Sequence, residues 1–328
     1  MIIRLSTKMI GLGVLGVLVI LLPFLPKYGP LVIHIGSMIG IMSILTLSLH
    51  IFFGLCGQIN FGLNGFYACG AYSLALILKY TGMHYVAAIP IALIAVAVIT
   101  LVVGMAVLRL REWVMALGTA SFGLAVWLSV KTIGADIFGA DDGLDLPPLM
   151  IGDWMATPIF FYYAIMVFTV TCTVVAYFLS RSRVGRAMKA FREDEVAAST
   201  MGVDINHYAR IGFLLCGLYA GLAGILYATW NQWISPGSIT LHLSIFPMIA
   251  VVVGGVGSVA GAIVGTVILK ILPEIFLPLR EYQVLMEAVV LFLVIRFAPQ
   301  GTVGILRVFR SWLVKALSRE TKTVGYEG

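Results

Sequence analysis

The stretch Arg181-SRVGRAMKAFREDEVAASTMG-Val203 is a charged interruption between two apolar runs, Phe160 to Leu179 and Ile211 to Trp230. It carries five Lys/Arg between Arg181 and Arg192, then Glu193, Asp194 and Glu195, and stops at Gly202. Polar residues joining two segments suited to lipid must lie in water at a membrane face, because uncompensated polar groups are costly in hydrocarbon. The basic start puts that face on the cytoplasmic side. Such a segment gives a soluble partner a handle on a membrane protein.

Working outward, the rest of the chain has a membrane composition. Of its 328 residues, 61% are hydrophobic and 11% charged, and the mean hydropathy is +1.05. Soluble domains carry about 25% charged residues, so the fold class is an all-α polytopic membrane protein, a single transmembrane domain over 1–328. The net charge of +6 follows from topology and does not call for nucleic acid as a partner. Cys56, Cys69, Cys172 and Cys216 lie in apolar segments without metal-ligand spacing, and the five histidines are scattered, so no metal site is expected. The N-terminal run Met9 to Leu25 is followed by Pro26-Lys27-Tyr28-Gly29-Pro30, which offers no small-x-small cleavage site, and reads as a retained first span.

A helix needs about 20 apolar residues to cross a bilayer. Clear spans are 9–26, 31–53, 86–108, 113–130, 158–180, 210–230 and 282–297. The 181–210 segment has six Lys/Arg and the chain from Arg296 onward six more, whereas Lys131 to Trp154 sets one lysine against Asp136, Asp141, Asp142, Asp145 and Asp153. Lys/Arg-rich loops stay in the cytoplasm. The expectation is therefore a cytoplasmic loop at 181–209, an extracytoplasmic loop at 131–157, a cytoplasmic tail at 298–328, and both termini inside. Eight to ten crossings fit, with two glycine-broken elements among them.

Those two regions are Gly54-LCGQINFGLNGFYACGAYSLALIL-Lys79 and Leu243-SIFPMIAVVVGGVGSVAGAIVGTVIL-Lys270. Small-residue packing explains such glycines; so does a discontinuous helix lining a translocation path. Gln58, Asn60 and Asn64 in the first region, and Gly254, Gly255 and Gly257 in the second, are the path candidates. Glu287 in the last span is the clear intramembrane carboxylate. It reads either as an ion relay or as a group paired inside the bundle, with Lys270 as one partner. No G-x-x-x-x-G-K-[ST], G-x-S-x-G or H-E-x-x-H motif occurs. The chain is a conduit or scaffold, without a catalytic residue or cofactor of its own, and draws energy from an ion gradient or a partner.

From Arg186 to Met201 alanines alternate with charges, without proline, up to Gly202, which predicts one or two short surface helices with a glycine stop. This stretch resembles the cytoplasmic signature of permeases of the branched-chain amino acid ABC importer family. The matching positions are Gly185, Arg186 and Ala187, then Arg192, Glu193, Glu195, Ala197, Ala198 and Gly202. Gly57-Gln58-Ile59-Asn60-Phe61-Gly62 through Gly70-Ala71-Tyr72, Ala220-Gly221-Leu222-Ala223-Gly224, and Gly254-Gly255-Val256-Gly257-Ser258 through Gly261 to Gly265 are similar to three further family elements. The likeness covers most of residues 31–300, and Arg109-Leu110-Arg111 with Pro299-Gln300-Gly301 fit the longer, M-type subunit. Gly139-ADDGLDL-Pro147 and Glu112-Trp113 depart from the family pattern.

The resemblance implies a permease in a bacterial inner membrane, working with a second homologous permease, two ABC ATPases that bind the ATP, and an extracytoplasmic substrate-binding protein. Alternating access would be driven by the ATPases. Gly185, Arg186, Arg192, Glu193, Glu195, Ala197, Ala198 and Gly202 would couple ATPase closure to the helices, and the 131–157 loop would meet the binding protein. Branched-chain or other small amino acids are the implied substrates. The same machine for urea, short amides or small organic acids, and a stand-alone ion-coupled secondary transporter using Glu287, stay open at this point.

Overall fold

The computed structural model describes residues 29–110, 112–133, 135–151, 154–275, 282–297 and 301–302. The expected span 9–26 and nearly all of the 298–328 tail lie outside the described residues. Within them the chain is helical almost throughout. It begins with α1 (Gly29–Leu49), which runs on into a π-helical turn (His50–Leu55). Then come α2 (Leu63–Thr81), α3 (Tyr85–Val107), α4 (Glu112–Leu128) and the single turn α5 (Ala135–Phe138). α6 (Pro158–Arg181), α7 (Arg183–Glu193), α8 (Glu195–Thr200) and α9 (Ile205–Asn231) follow. The described chain closes with α10 (His242–Gly254), α11 (Val259–Ile275) and α12 (Gln283–Phe297).

Six helical segments among the described residues are long and apolar enough to cross a membrane: Gly29–Leu55, Tyr85–Val107, Trp113–Thr132, Pro158–Arg181, Ile205–Asn231 and Pro236–Gly254. Five of them track clear apolar runs of the sequence and the sixth opens the second glycine-broken region, whereas α12, over the expected span 282–297, has 15 residues and is not among them. Capping sets the ends that hydropathy misses. α9 starts well before its apolar run because the Asp204 carboxylate accepts a hydrogen bond from the His207 N–H at 3.0 Å. α6 starts at Pro158 behind Thr157, whose hydroxyl accepts from the Phe160 N–H. α2 stops at Gly82, whose φ of 61° suits glycine.

The bundle has an inner and an outer layer. The apolar window of the α1 span is 83% buried and that of α9 67%, against 22% for α3 and 28% for α4 and α6. α9 sits inside because its face is built of small residues. A Cβ at Gly70 of α2 would overlap the Gly221 carbonyl of α9, and one at Gly224 would overlap the Tyr67 carbonyl. In lipid, helices associate by close packing of this kind, since lipid tails are as apolar as leucine. The outer helices turn large residues outward, Val86, Ile94 and Leu101 on α3 and Val167, Val170 and Phe178 on α6.

Both glycine-broken regions resolve into a reversal plus a helix. After the π turn the chain leaves helical geometry at Gly57 (φ 79°) and re-enters it at Leu63. In the second region α10 and α11 are joined by the turn Gly255–Ser258, and Gly254 lies so close to Gly261 that neither admits a side chain. The bundle therefore has two dissimilar ends. One carries the 181–204 loop, the 56–62 reversal and the 255–258 turn. The other carries the 135–157 segment, where Leu144–Asp145 pairs antiparallel with Trp233–Ile234 and Lys131 meets Asp141 at 3.2 Å.

Candidate functional site at the charged loop

The 181–204 loop folds as two short helices, as the sequence predicts. The Ser182 hydroxyl accepts from the Gly185 N–H at 3.1 Å and starts α7. Gly185 packs on the end of α6 so tightly that a Cβ would strike the Leu179 carbonyl, which sets the sharp α6–α7 corner. The Asp194 carboxylate accepts from the Ala197 N–H at 2.9 Å, which ends α7 and opens α8. Gly202, with φ 83°, stops α8, and the Val203 N–H reaches the Ala198 carbonyl at 3.1 Å.

The two helices are anchored from beneath. Met188, Phe191 and Ala198 are buried in the main core, and the Met188 methyl lies against Gly212 of α9. On the other face Arg186, Glu193, Glu195, Ala197, Val196 and Met201 are exposed. Val196 is 74% and Met201 85% exposed. These two apolar side chains stand exposed on short helices that are capped at both ends.

Arg192 behaves differently from its neighbours. Its Nη1 donates to the carbonyl of Gly54, in the last turn of the π segment. The last carbonyls of a helix lack intrahelical donors, and here the Gln58 N–H bonds the Phe52 carbonyl instead of that of Gly54. A Cβ on Gly57 would come within 2.8 Å of the Arg192 Cγ, and one on Gly257 within 3.2 Å of its Nη1. Gly301 in turn packs directly on Gly255. The structure thus brings together, at one end of the bundle, Arg192 of the loop, the first reversal, the second glycine turn and Gly301.

The remaining path candidates lie deeper in the packing. Asn60 is fully buried; its Oδ1 accepts from the Gly62 N–H at 2.8 Å and its Nδ2 faces the Cys216 sulfur at 3.6 Å. The Ser244 hydroxyl of α10 donates to the Asn64 Oδ1 at 3.0 Å and accepts from the Asn64 N–H at 2.9 Å. The Thr119 hydroxyl of α4 accepts from the Phe61 N–H at 3.1 Å. The start of α2 is thereby tied to α4 and α10 by hydroxyls that the sequence does not single out, because a lone Ser or Thr in an apolar run carries no periodic signal. Gln58 is half-buried with its Oε1 unpartnered.

Glu287 is paired, but not with Lys270. Its carboxylate meets His242 Nε2 of α10 at 2.8 Å and accepts from Gln283 Nε2 at 2.8 Å, and the residue is 1% exposed. It lies in the first two turns of α12, level with the start of α10, rather than mid-span. Lys270 instead stacks on the Phe246 ring, 4.6 Å from its centroid. An apolar cavity of about 490 Å³ opens between the starts of α3 and α6 and the end of α9, lined by Tyr85, Phe161, Phe168, Leu226 and Thr229 among others. None of the sequence-predicted site residues reaches it. Among the described residues, no cluster of His, Cys, Asp or Glu could hold a metal ion.

Residues 31–298 match the family model described as branched-chain amino acid transport system / permease component. The chain belongs to this permease family. It is similar to the high-affinity branched-chain amino acid transport system permease protein LivM of Escherichia coli, at 30% identity over 89% of this chain and 74% of that one. It is similar to BraD of Pseudomonas aeruginosa, a permease protein of the same description, at 26% identity over 77% and 88%. A shorter match joins it to LivH of Escherichia coli, 32% identical over 39% of this chain and 42% of that one. All three relatives are transport permeases. This permease is accordingly a multi-pass membrane transport component, and the fold described above carries the loop, the two glycine turns and the helix ties within the matched region.

Proposed function

We propose that this permease is the transmembrane subunit of an ATP-driven importer of branched-chain or other small amino acids. It works beside a second homologous permease, with two ATPases that bind ATP on their own chains and with an extracytoplasmic substrate-binding protein. Its termini and the 181–209 loop lie in the cytoplasm and the 131–157 loop outside, in a bacterial inner membrane. The solute class is that of the relatives, and similarity to both LivM and LivH supports pairing of homologous permeases. The observation that carries the coupling role is the α7–α8 loop itself. Its buried face is keyed into the bundle by Met188, Phe191 and Ala198, while its outer face offers Val196 and Met201 between Glu193, Glu195 and Arg186. A partner that closes on this loop moves helices and not just a tether. Urea, short amides and small organic acids fit the same machinery, because the discriminating subunit is a different chain.

The test is affinity purification of the tagged chain from its native membrane in mild detergent. Two ATPases and a second permease are expected with it, and leucine uptake in liposomes should need ATP. A chain recovered alone that still carried leucine on a proton gradient would overturn this reading.

A further inference from the structure

Arg192 stands out because its hydrogen bond leaves the loop for a glycine-broken element. Arg186 donates back to the Arg181 carbonyl at 2.8 Å and Lys189 to the Ser180 carbonyl at 2.8 Å, both at the end of α6. Arg192 instead reaches across 138 residues of sequence to Gly54. Phe191 and Met188 anchor α7 by being buried, and the next residue, Arg192, bonds the Gly54 carbonyl. Its aliphatic stem runs over Gly57 and its guanidinium ends beside Gly257. A side chain on either glycine would take up the space the arginine fills. Gly301 packs on Gly255 of the same turn. One side chain therefore touches the 54–58 reversal, the 255–258 turn and the loop at once.

We propose that Arg192 is the transmission residue of this permease: its guanidinium, seated on the Gly54 carbonyl between Gly57 and Gly257, makes both glycine-broken elements move with the ATPase-docking loop. This rests on the importer reading and goes beyond it by naming the atom-level link. Arg192 is a positioning residue: it is exposed like Glu193 and Glu195, but its guanidinium is turned to the Gly54 carbonyl, whereas the proposed docking face is formed by Val196, Met201 and the acidic residues. The planar fork and the packed stem act together, so lysine, a flexible point charge, is a poor replacement.

The experiment uses the assembled complex in nanodiscs, with Gln58→Cys as a reporter on the first reversal. A maleimide labels the introduced thiol with and without ATP and orthovanadate, and the parent chain lacking the reporter subtracts the four native cysteines. With Arg192 in place, nucleotide trapping is expected to change the labelling rate about fivefold or more, as for a typical coupling free energy between sites. R192A should abolish that change while the ATPases still co-purify. R192K, which keeps the stem, should at least halve it. An unaltered nucleotide response in R192A overturns the proposal; where R192A does not assemble, an unaltered response in R192K does so. If no ATPase accompanies the parent chain, the importer reading itself falls, an outcome distinct from an intact complex indifferent to Arg192.

Discussion

Gly70 and Gly82 show how differently two glycines of one helix are used. Gly70 lies at the α2–α9 crossing, against the Gly221 carbonyl, whereas Gly82 ends α2 in open space with φ 61°. Gly70→Val must push α2 off α9, and overpacking of that kind costs about 1–3 kcal/mol. Gly82→Ala meets only backbone strain, on the order of 1 kcal/mol. Thermal unfolding in detergent should therefore show a markedly larger drop for Gly70→Val, and equal drops would contradict the crossing. Glu287 makes a similar point about polar atoms. Glu287→Leu leaves the half-buried His242 and Gln283 side chains without their shared acceptor, and loss of a hydrogen bond to a charged group costs about 1.5–3 kcal/mol, less where water can replace it. Loss of heat stability is expected, with Glu287→Gln milder because an amide oxygen still accepts. ATP-driven uptake by Glu287→Gln should persist in the presence of a protonophore, since both carboxylate oxygens already serve neighbouring side chains. Uptake abolished by that single change would return the carboxylate to the role of an ion relay.

At the scale of elements, the α7–α8 pair combines two properties that seldom coexist in a loop. Its caps at Ser182 and Asp194 and its stop at Gly202 make it rigid, while its outer apolar residues are left in water. The double change Val196→Asp and Met201→Asp touches no buried contact, so the protein should insert and unfold as the parent does. Recovery of the ATPases should fall by about tenfold, the equivalent of about 1.4 kcal/mol of lost binding. Undiminished recovery would place docking elsewhere. α2 illustrates the opposite arrangement: its first turn is held by Asn60, Thr119 and Ser244 from three parts of the chain. Any motion that separates α4 from α10 has to break either the Thr119 or the Ser244 tie, which makes the start of α2 a joint between those two helices.

The whole molecule has two ends of different chemistry, and the proposed orientation rests on how charge is distributed between them. The Lys/Arg-rich loop and both glycine turns share one end; the Asp-rich segment and the short strand pairs share the other. Cysteines introduced at Met83 and Asp142 should react with an impermeant maleimide on intact spheroplasts, and one at Ala197 only after lysis. The reverse pattern would invert the proposed topology. Without its partners the purified chain should hydrolyse no ATP, measured as phosphate release.

Hydropathy and charge in the sequence by themselves determine that this chain crosses a membrane many times, where most of its long apolar helices lie, and that 181–203 is a polar break between two of them. These are sums over local residues, and the bilayer enforces them one segment at a time. The helical form of the loop and its stop at Gly202 were also legible, because caps and breakers act over a few residues. Membership of the permease family was readable from the Gly185 to Gly202 signature. The destination of each polar side chain was not. That Arg192 leaves its charged neighbours for Gly54, that Glu287 chooses His242 over Lys270, and that Asn64 is held by Ser244 at a separation of 180 residues depend on which helices lie side by side. Such contacts are decided by close packing of small residues between distant segments, and their energy exists only once the bundle has closed.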